Sequence, residues 1–301
     1  FNVESVQELQ LLSLVALRLN TKARVSLRIN PDIDAESHPY ISTGMKHNKF
    51  GIEARHALET FRMAASSPAV DLIGIHTHIG SQITRVEPFV ATAQFILELV
   101  NKLRENNISL SHIDIGGGFG VQYENALSHE ALPVESNTNG VPTSINDALA
   151  AILPVLEQTG CSIWIEPGRS LVANAGALLT KVVYIKENSA KKFVVVDAGM
   201  NDLLRPSLYG AYHQVVPVKI ETYEHEKVDI VGPICETGDF LARDRLLSRV
   251  KRGDGMAVLT AGAYGFVTTS NYNARTRPAE LLVNGDKVRI IRERETFEQL
   301  G

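Results

Sequence analysis

The sequence contains few of the residues that would place it outside a reducing interior. Cys161 and Cys235 are its only cysteines, too few for a disulfide framework, which fits a cytoplasmic protein and leaves each thiol free for packing or chemistry. No apolar run reaches the roughly 18–20 residues needed to cross a bilayer, and no signal-like apolar core opens the chain, so no membrane partner is expected. Neither sign of charge dominates: 30 Lys and Arg stand against 34 Asp and Glu, a net charge of −4. No broadly basic face is available for nucleic acid, which is therefore not an expected partner. What is present is an ordinary globular composition, 44% hydrophobic with 22 Gly and 12 Pro in 301 residues. Such a chain can bury a sizeable core.

The first half alternates two patterns. Apolar β-rich runs at Ala23 to Ile29, Val70 to His76, Ser111 to Ile115 and Ser162 to Ile165 read as strands. Between them, Glu53 to Ala65, Val86 to Asn106 and Ile145 to Gln158 carry apolar residues at three- and four-residue intervals and read as helices. This alternation predicts parallel strands covered by helices, as in a (β/α)8 TIM-like barrel, though with fewer units than a complete one. After about residue 170 the runs become closely spaced and β-like, at Ala177 to Ile185, Phe193 to Val196, Val215 to Glu221, Val228 to Val231 and Ala257 to Thr260. The expected architecture is therefore α/β plus β. A partial TIM-like barrel over residues 1–170 precedes a mostly antiparallel β-barrel or sandwich over residues 171–301. The stretch from Tyr123 to Thr143 reads as a long surface insertion.

Three polar clusters follow predicted parallel strands: His76-Thr77-His78-Ile79-Gly80-Ser81, Gly116-Gly117-Gly118-Phe119-Gly120 and Glu166-Pro167-Gly168-Arg169. In parallel α/β folds the carboxyl ends of the strands form the functional face, so the three are expected to converge. The glycine run is either a phosphate cradle or a tight turn; its spacing is not that of a dinucleotide fingerprint. His76 and His78 stand two apart, as metal ligands or as packed core, with Asp114 and Glu166 the only further ligands at hand. Glu166 and Arg169 form either a structural ion pair or, respectively, a partner for a heteroaromatic ring nitrogen and an anion fork. Cys235 lies in the turn-rich stretch Gly232-Pro233-Ile234-Cys235-Glu236-Thr237-Gly238-Asp239, where an exposed thiol can transfer protons. Cys161 precedes an apolar strand and reads as packing.

Taken in order, these motifs resemble those of the diaminopimelate decarboxylases, fold-type III pyridoxal phosphate (PLP) enzymes of the alanine-racemase-like group, which also holds the ornithine decarboxylases. The likeness spans nearly the whole chain. It rests on Ile29-Asn30-Pro31-Asp32, His38-Pro39-Tyr40, Lys49-Phe50-Gly51-Ile52, the three clusters above, and Arg205-Pro206-Ser207-Leu208-Tyr209. It continues through Gly232 to Glu236, Gly262-Ala263-Tyr264-Gly265 and Ser270-Asn271-Tyr272-Asn273.

The resemblance implies a role for each matching residue. His78 stacks on the cofactor ring. Ser81, the backbone at Gly118, and Tyr264 hold its phosphate, and Glu166 keeps the pyridine nitrogen protonated, with Pro167, Gly168 and Arg169 lining the cofactor. Arg169 and Arg205 with Tyr209 bind substrate carboxylate, Glu236 pairs with the distal ammonium, Tyr264 also touches substrate, and Cys235 donates the proton that replaces CO2. No metal is implied. The reaction implied is decarboxylation of meso-2,6-diaminopimelate to L-lysine, the last step of lysine biosynthesis. A homodimer is implied too, in which Cys235 and Glu236 complete the partner's site.

The family carries its Schiff-base lysine in an early barrel strand. This sequence begins downstream of that motif, and neither Lys46 nor Lys49 replaces it, so an amino-terminally truncated and inactive chain is expected. Three rival readings stand beside this one: a non-catalytic homologue that binds or regulates a decarboxylase, a decarboxylase of another basic amino acid, and a metal-dependent hydrolase built on His76 and His78.

Overall fold

The computed structural model describes residues 1–35, 43–44, 49–129, 132–133, 142–222 and 224–300. The His38-Pro39-Tyr40 motif and Lys46 lie outside these. The described chain divides into two compact units. One comprises Phe1–Val121 with Asn139–Ser170, the other Gln122–Thr138 with Leu171–Gly301.

The first unit is of α/β type. Its elements run β1 (Asn2–Val3), α1 (Val6–Arg18), β2 (Ala23–Asn30), β3 (Ile52–Glu53), α2 (Ala57–Ser66), β4 (Val70–His76), α3 (Glu87–Glu105), β5 (His112–Asp114), α4 (Ile145–Leu156) and β6 (Ser162–Trp164), with α5 (Gly168–Val172) closing it. The strands form one sheet in the order β1-β2-β4-β5-β6, with β3 also on β2. Every pair is parallel.

Local signals start the helices. Ser5 accepts the amide of Glu8 at 3.1 Å while the Glu8 carboxylate takes the amide of Glu4 at 2.6 Å, so two otherwise orphaned donors are satisfied at the start of α1. Ser144 caps α4 through the amide of Asp147. The core forms where the apolar stripes of α2, α3 and α4 meet the inner face of the strands: Phe61, Phe89, Ile96, Leu103, Ile152 and Leu156 close over Leu27, Ile29, Ile75 and Ile113. The helix predicted from Glu53 starts four residues later, because Ile52 and Glu53 pair with Ile29 and Asn30 and a short helical turn intervenes.

The second unit contains β7 (Leu178–Glu187), β8 (Lys192–Val196), α6 (Arg205–Tyr209), β9 (Val215–Pro217), β10 (His225–Val231), β11 (Phe240–Ser248), β12 (Gly255–Val258), β13 (Glu280–Asn284) and β14 (Lys287–Arg292). Six strands form a sheet in the order β11-β10-β8-β7-β12-β9, and β13 with β14 makes a separate hairpin. Pairing is antiparallel except between β8 and β10. Val182, Val194, Val196, Val228, Ile230, Leu241, Met256 and Val258 form its core.

Two expectations are corrected here. The strand read as Val215 to Glu221 ends at Pro217. It is an edge strand, the position where a residue without an N–H is tolerated. The stretch read as a surface insertion supplies buried Tyr123 and Leu132, the latter packed on Val216 and Ala257. A reciprocal pair of bonds joins it to Gln214, which accepts the Leu127 amide at 2.7 Å and donates to the Leu127 carbonyl at 3.1 Å.

Candidate active site

Backbone hydrogen bonds sew the three polar clusters of the first unit together just beyond their strands. Thr77 N donates to Asp114 O at 2.8 Å, Ile83 N to Gly118 O at 2.8 Å, Gly120 N to Ile83 O at 3.0 Å, and Glu166 N to Gly116 O at 2.8 Å. The parallel register that continues past β4, β5 and β6 puts these loops side by side, as the strand-end argument expects. Glycine is obligatory in the middle one. A Cβ on Gly117 would lie 2.1 Å from the Glu166 carbonyl, and Gly118, at φ +92°, would put one 2.3 Å from the Gly80 carbonyl.

The side chains on these loops are held individually. Nδ1 of His78 accepts the Gly117 amide at 3.0 Å. The ring is therefore neutral at that nitrogen, and burial, with Arg28 and His76 adding to it, lowers its pKa to about 4. Arg169 is buried, and its Nη2 donates to Ser81 Oγ at 2.9 Å. Pro167 and Gly168 make the turn between Glu166 and Arg169, with Gly168 N donating to Glu166 O at 2.9 Å and Ser170 Oγ donating to Pro167 O at 2.5 Å. The Glu166 carboxylate is half-exposed, and its Oε2 lies 3.5 Å from His76 Nε2. Burial pushes the His76 pKa down, against the pull of Asp114 and Glu166. His76 Nδ1 is buried without a hydrogen-bond partner.

The two histidines part company. Ligand atoms of His76, Asp114 and Glu166 lie within 4.8 Å of one another, the one such group among the described residues, and it does not include His78.

The second unit holds the remaining candidates. Arg205, buried at the start of α6, donates to His213 Nε2 at 2.6 Å and lies 4.6 Å over the Tyr123 ring. The His213 Nδ1–H donates to the Leu259 carbonyl at 2.8 Å, which fixes the tautomer able to accept from Arg205. Tyr209 ends the same helix and is half-buried. Ser207 Oγ donates to the Gly238 carbonyl at 2.6 Å, linking α6 to the loop that carries Cys235 and Glu236, both exposed. Buried Asp239 braces that loop by accepting the amides of Met200 and Ile234, each at 2.6 Å. Glu236 Oε2 accepts the Tyr272 hydroxyl at 2.5 Å. Tyr264 is half-exposed and left-handed, φ +57°.

Sequence reasoning passed over His213 and Asp239 and gave no role to Tyr272. A lone histidine before an edge strand has no local signature, and each of the three has a partner 36 to 46 residues away.

A family model for the pyridoxal binding domain of pyridoxal-dependent decarboxylases matches residues 1–173. The diaminopimelate decarboxylase of Aquifex aeolicus is 45% identical over all of this chain and 68% of its own length. That of Pseudomonas aeruginosa is 47% identical over all of this chain and 69% of its own. This chain belongs to the diaminopimelate decarboxylase family. The solved diaminopimelate decarboxylase of Helicobacter pylori, complexed with L-lysine, superimposes at a TM-score of 0.90 with 42% identity, over 99% of this chain and 71% of that one. The matches establish a PLP-dependent decarboxylase of fold type III.

The residues present fit that cofactor. The glycine loop lies so close to its neighbours that a Cβ on Gly117 or Gly118 would strike the Glu166 or Gly80 carbonyl, which leaves bare backbone of the kind that can approach a phosphate; Arg169 and Ser81 sit beside each other as a cation and a hydroxyl, and His78 offers a flat neutral ring. Glu166 presents a half-exposed carboxylate, the group a ring nitrogen would need. Among the described residues no helix is long and apolar enough to cross a membrane.

Proposed function

We propose that this decarboxylase of the diaminopimelate family acts on meso-2,6-diaminopimelate and releases L-lysine and CO2. The observation that carries the reading is the backbone stitching of the three strand-end loops, which assembles His78, the Gly117–Gly118 cradle, Glu166 and the Arg169–Ser81 pair in one place. When bound, PLP supplies an electron sink for the pair of electrons left as CO2 departs.

The chain's own residues do the rest. His78 presents its neutral face to the cofactor ring. Ser81 and the Gly118 amide take phosphate oxygens, with Tyr264 contributing its hydroxyl. Glu166 faces the pyridine nitrogen and keeps a proton on it. Arg169, and Arg205 with Tyr209, bind carboxylate oxygens, Arg205 being preset by His213. Glu236 takes the distal ammonium. A substrate without a distal amino-acid group would leave these charges unmatched, which favours diaminopimelate over diamine-forming decarboxylation. Cys235 delivers the proton to the carbon that CO2 leaves. The active species is a cytoplasmic homodimer in which Cys235 and Glu236 serve the partner's site.

The test is an assay of the gene product at its natural length, loaded with PLP and offered meso-diaminopimelate, L-ornithine, L-arginine and L-lysine in turn. Release of CO2 and L-lysine from the first substrate alone is the expected result. PLP binding without turnover of meso-diaminopimelate, or faster turnover of another substrate, overturns it.

A further inference from the structure

Tyr272 and Glu236 are 36 residues apart, yet the phenol hydroxyl donates to Glu236 Oε2 at 2.5 Å. Both loops that bring them together are anchored to the same short segment. On the Glu236 side, Asp239 accepts the Met200 amide at 2.6 Å and returns its own amide to the Glu236 carbonyl at 3.0 Å. On the Tyr272 side, Ser270 N donates to the Asn201 carbonyl at 3.0 Å, and Arg275 Nε donates to Asn201 Oδ1 at 2.9 Å. The register between the loops is therefore set by residues 200 and 201 rather than by a chance meeting of two surface side chains.

The loop carrying Tyr272 is braced from its other flank. Asn271 Nδ2 donates to the Arg275 carbonyl and to Glu295 Oε2, and Arg277 donates to both Asn271 Oδ1 and Glu295 Oε1. Glu295, held by the backbone and side chain of Arg277 and by Asn271, has its pKa lowered to about 2, so this brace stays charged at any working pH. Inside it, Asn273 and Ala274 both take left-handed backbone, φ +57° and +53°. Two successive non-glycine residues in that region cost energy, and they persist only where the surroundings enforce the turn.

We propose that Tyr272 is a positioning residue for substrate specificity: its hydroxyl fixes Oε2 of Glu236 and so aims Oε1 at the distal ammonium of the substrate. The inference rests on the role proposed above for Glu236. A free glutamate on an exposed loop samples several rotamers, and each cation it binds must order it. Here that ordering is done during folding. The attachment to Glu236 holds the phenol pKa above its ordinary value, so the hydroxyl remains a donor across the neutral range.

L-lysine and 6-aminohexanoate differ only in the α-ammonium, the one that belongs to the end of the substrate left intact by decarboxylation, which makes them the probes. Calorimetric titration of each into the PLP-loaded, full-length protein is compared for wild type, Tyr272→Phe and Glu236→Gln. In Tyr272→Phe we expect lysine affinity to fall about fivefold with 6-aminohexanoate unchanged, and KM for meso-diaminopimelate to rise in parallel while kcat stays within about twofold. Equal losses for both ligands would mean that Tyr272 only packs, and would overturn the proposal. Wild-type lysine affinity in Tyr272→Phe, alongside a loss in Glu236→Gln, would overturn it while leaving the role of Glu236 standing. No loss in Glu236→Gln would remove the role of Glu236 and the proposal together.

Discussion

The Gly117 amide hydrogen points at Nδ1 of His78 across 3.0 Å, so that nitrogen has to be bare and the ring proton sits on Nε2. Protonation of the ring would break this bond within a buried loop. The folded pKa, about 4, lies below the unfolded value near 6.5. Between those limits the unfolded chain binds a proton that the folded one excludes, so stability climbs as pH rises from 4 to 6.5 and is complete above it. The contribution is on the order of 3 kcal/mol. Urea midpoints from pH 4 to 7.5 should rise over this window, and His78→Gln should flatten the slope, with depressed His76 supplying the remainder.

Gly117→Ala tests the cradle. The new Cβ falls 2.1 Å from the Glu166 carbonyl, so backbone must move. We expect a loss of about 2–3 kcal/mol in unfolding free energy and a parallel fall in PLP affinity, read by thermal melting and by cofactor fluorescence.

Glu166→Gln keeps the shape but removes the anion. PLP should still bind, whereas kcat should drop by about a hundredfold or more, because a neutral amide does not hold a proton on the ring nitrogen. Steady-state kinetics at saturating PLP separate the two effects.

Cys235→Ala should reduce kcat by about 10²–10⁴ with little change in melting temperature, since the thiol is exposed. If sites are shared between subunits, mixing this variant with Glu166→Gln under subunit exchange should restore about a quarter of wild-type activity, because half the dimers are mixed and each mixed dimer has one intact site. Activity that never exceeds the sum of the separate variants would exclude a shared site.

Arg275 donates to the Asp197 carbonyl and Asn201 and pairs with buried Asp202 at 3.6 Å. Burial already raises the Asp202 pKa against that pairing. Arg275→Ala should therefore cost about 3 kcal/mol, with Asp202→Asn recovering part of it in a double-mutant cycle measured by urea unfolding.

Much of the first unit was legible in the chain. The spacing of Phe89, Ile96, Leu99, Val100 and Leu103 gives α3 nearly to the residue, and the apolar run from Val70 to His76 is β4 as observed. Strand β11 escaped because Arg243, Asp244 and Arg245 interrupt its apolar pattern on the solvent side. The β13–β14 hairpin escaped although Asn284-Gly285 between two apolar runs is a turn signal, and Gly285 has the expected positive φ of +61°. Candidate residues on the strand-end loops could be picked out because each loop is contiguous. His213, Asp239 and Tyr272 could not, since their roles exist through partners as far as 36 to 46 residues away.

The left-handed backbone at Tyr264 sets stability against usefulness at one position. An aromatic residue there pays a conformational penalty that glycine would not, so Tyr264→Gly is among the few truncations in this protein that relieve local strain while removing a side chain. Selection for a more heat-resistant variant without selection for turnover would drift toward that change. A lineage that must keep its phenol hydroxyl carries the penalty instead.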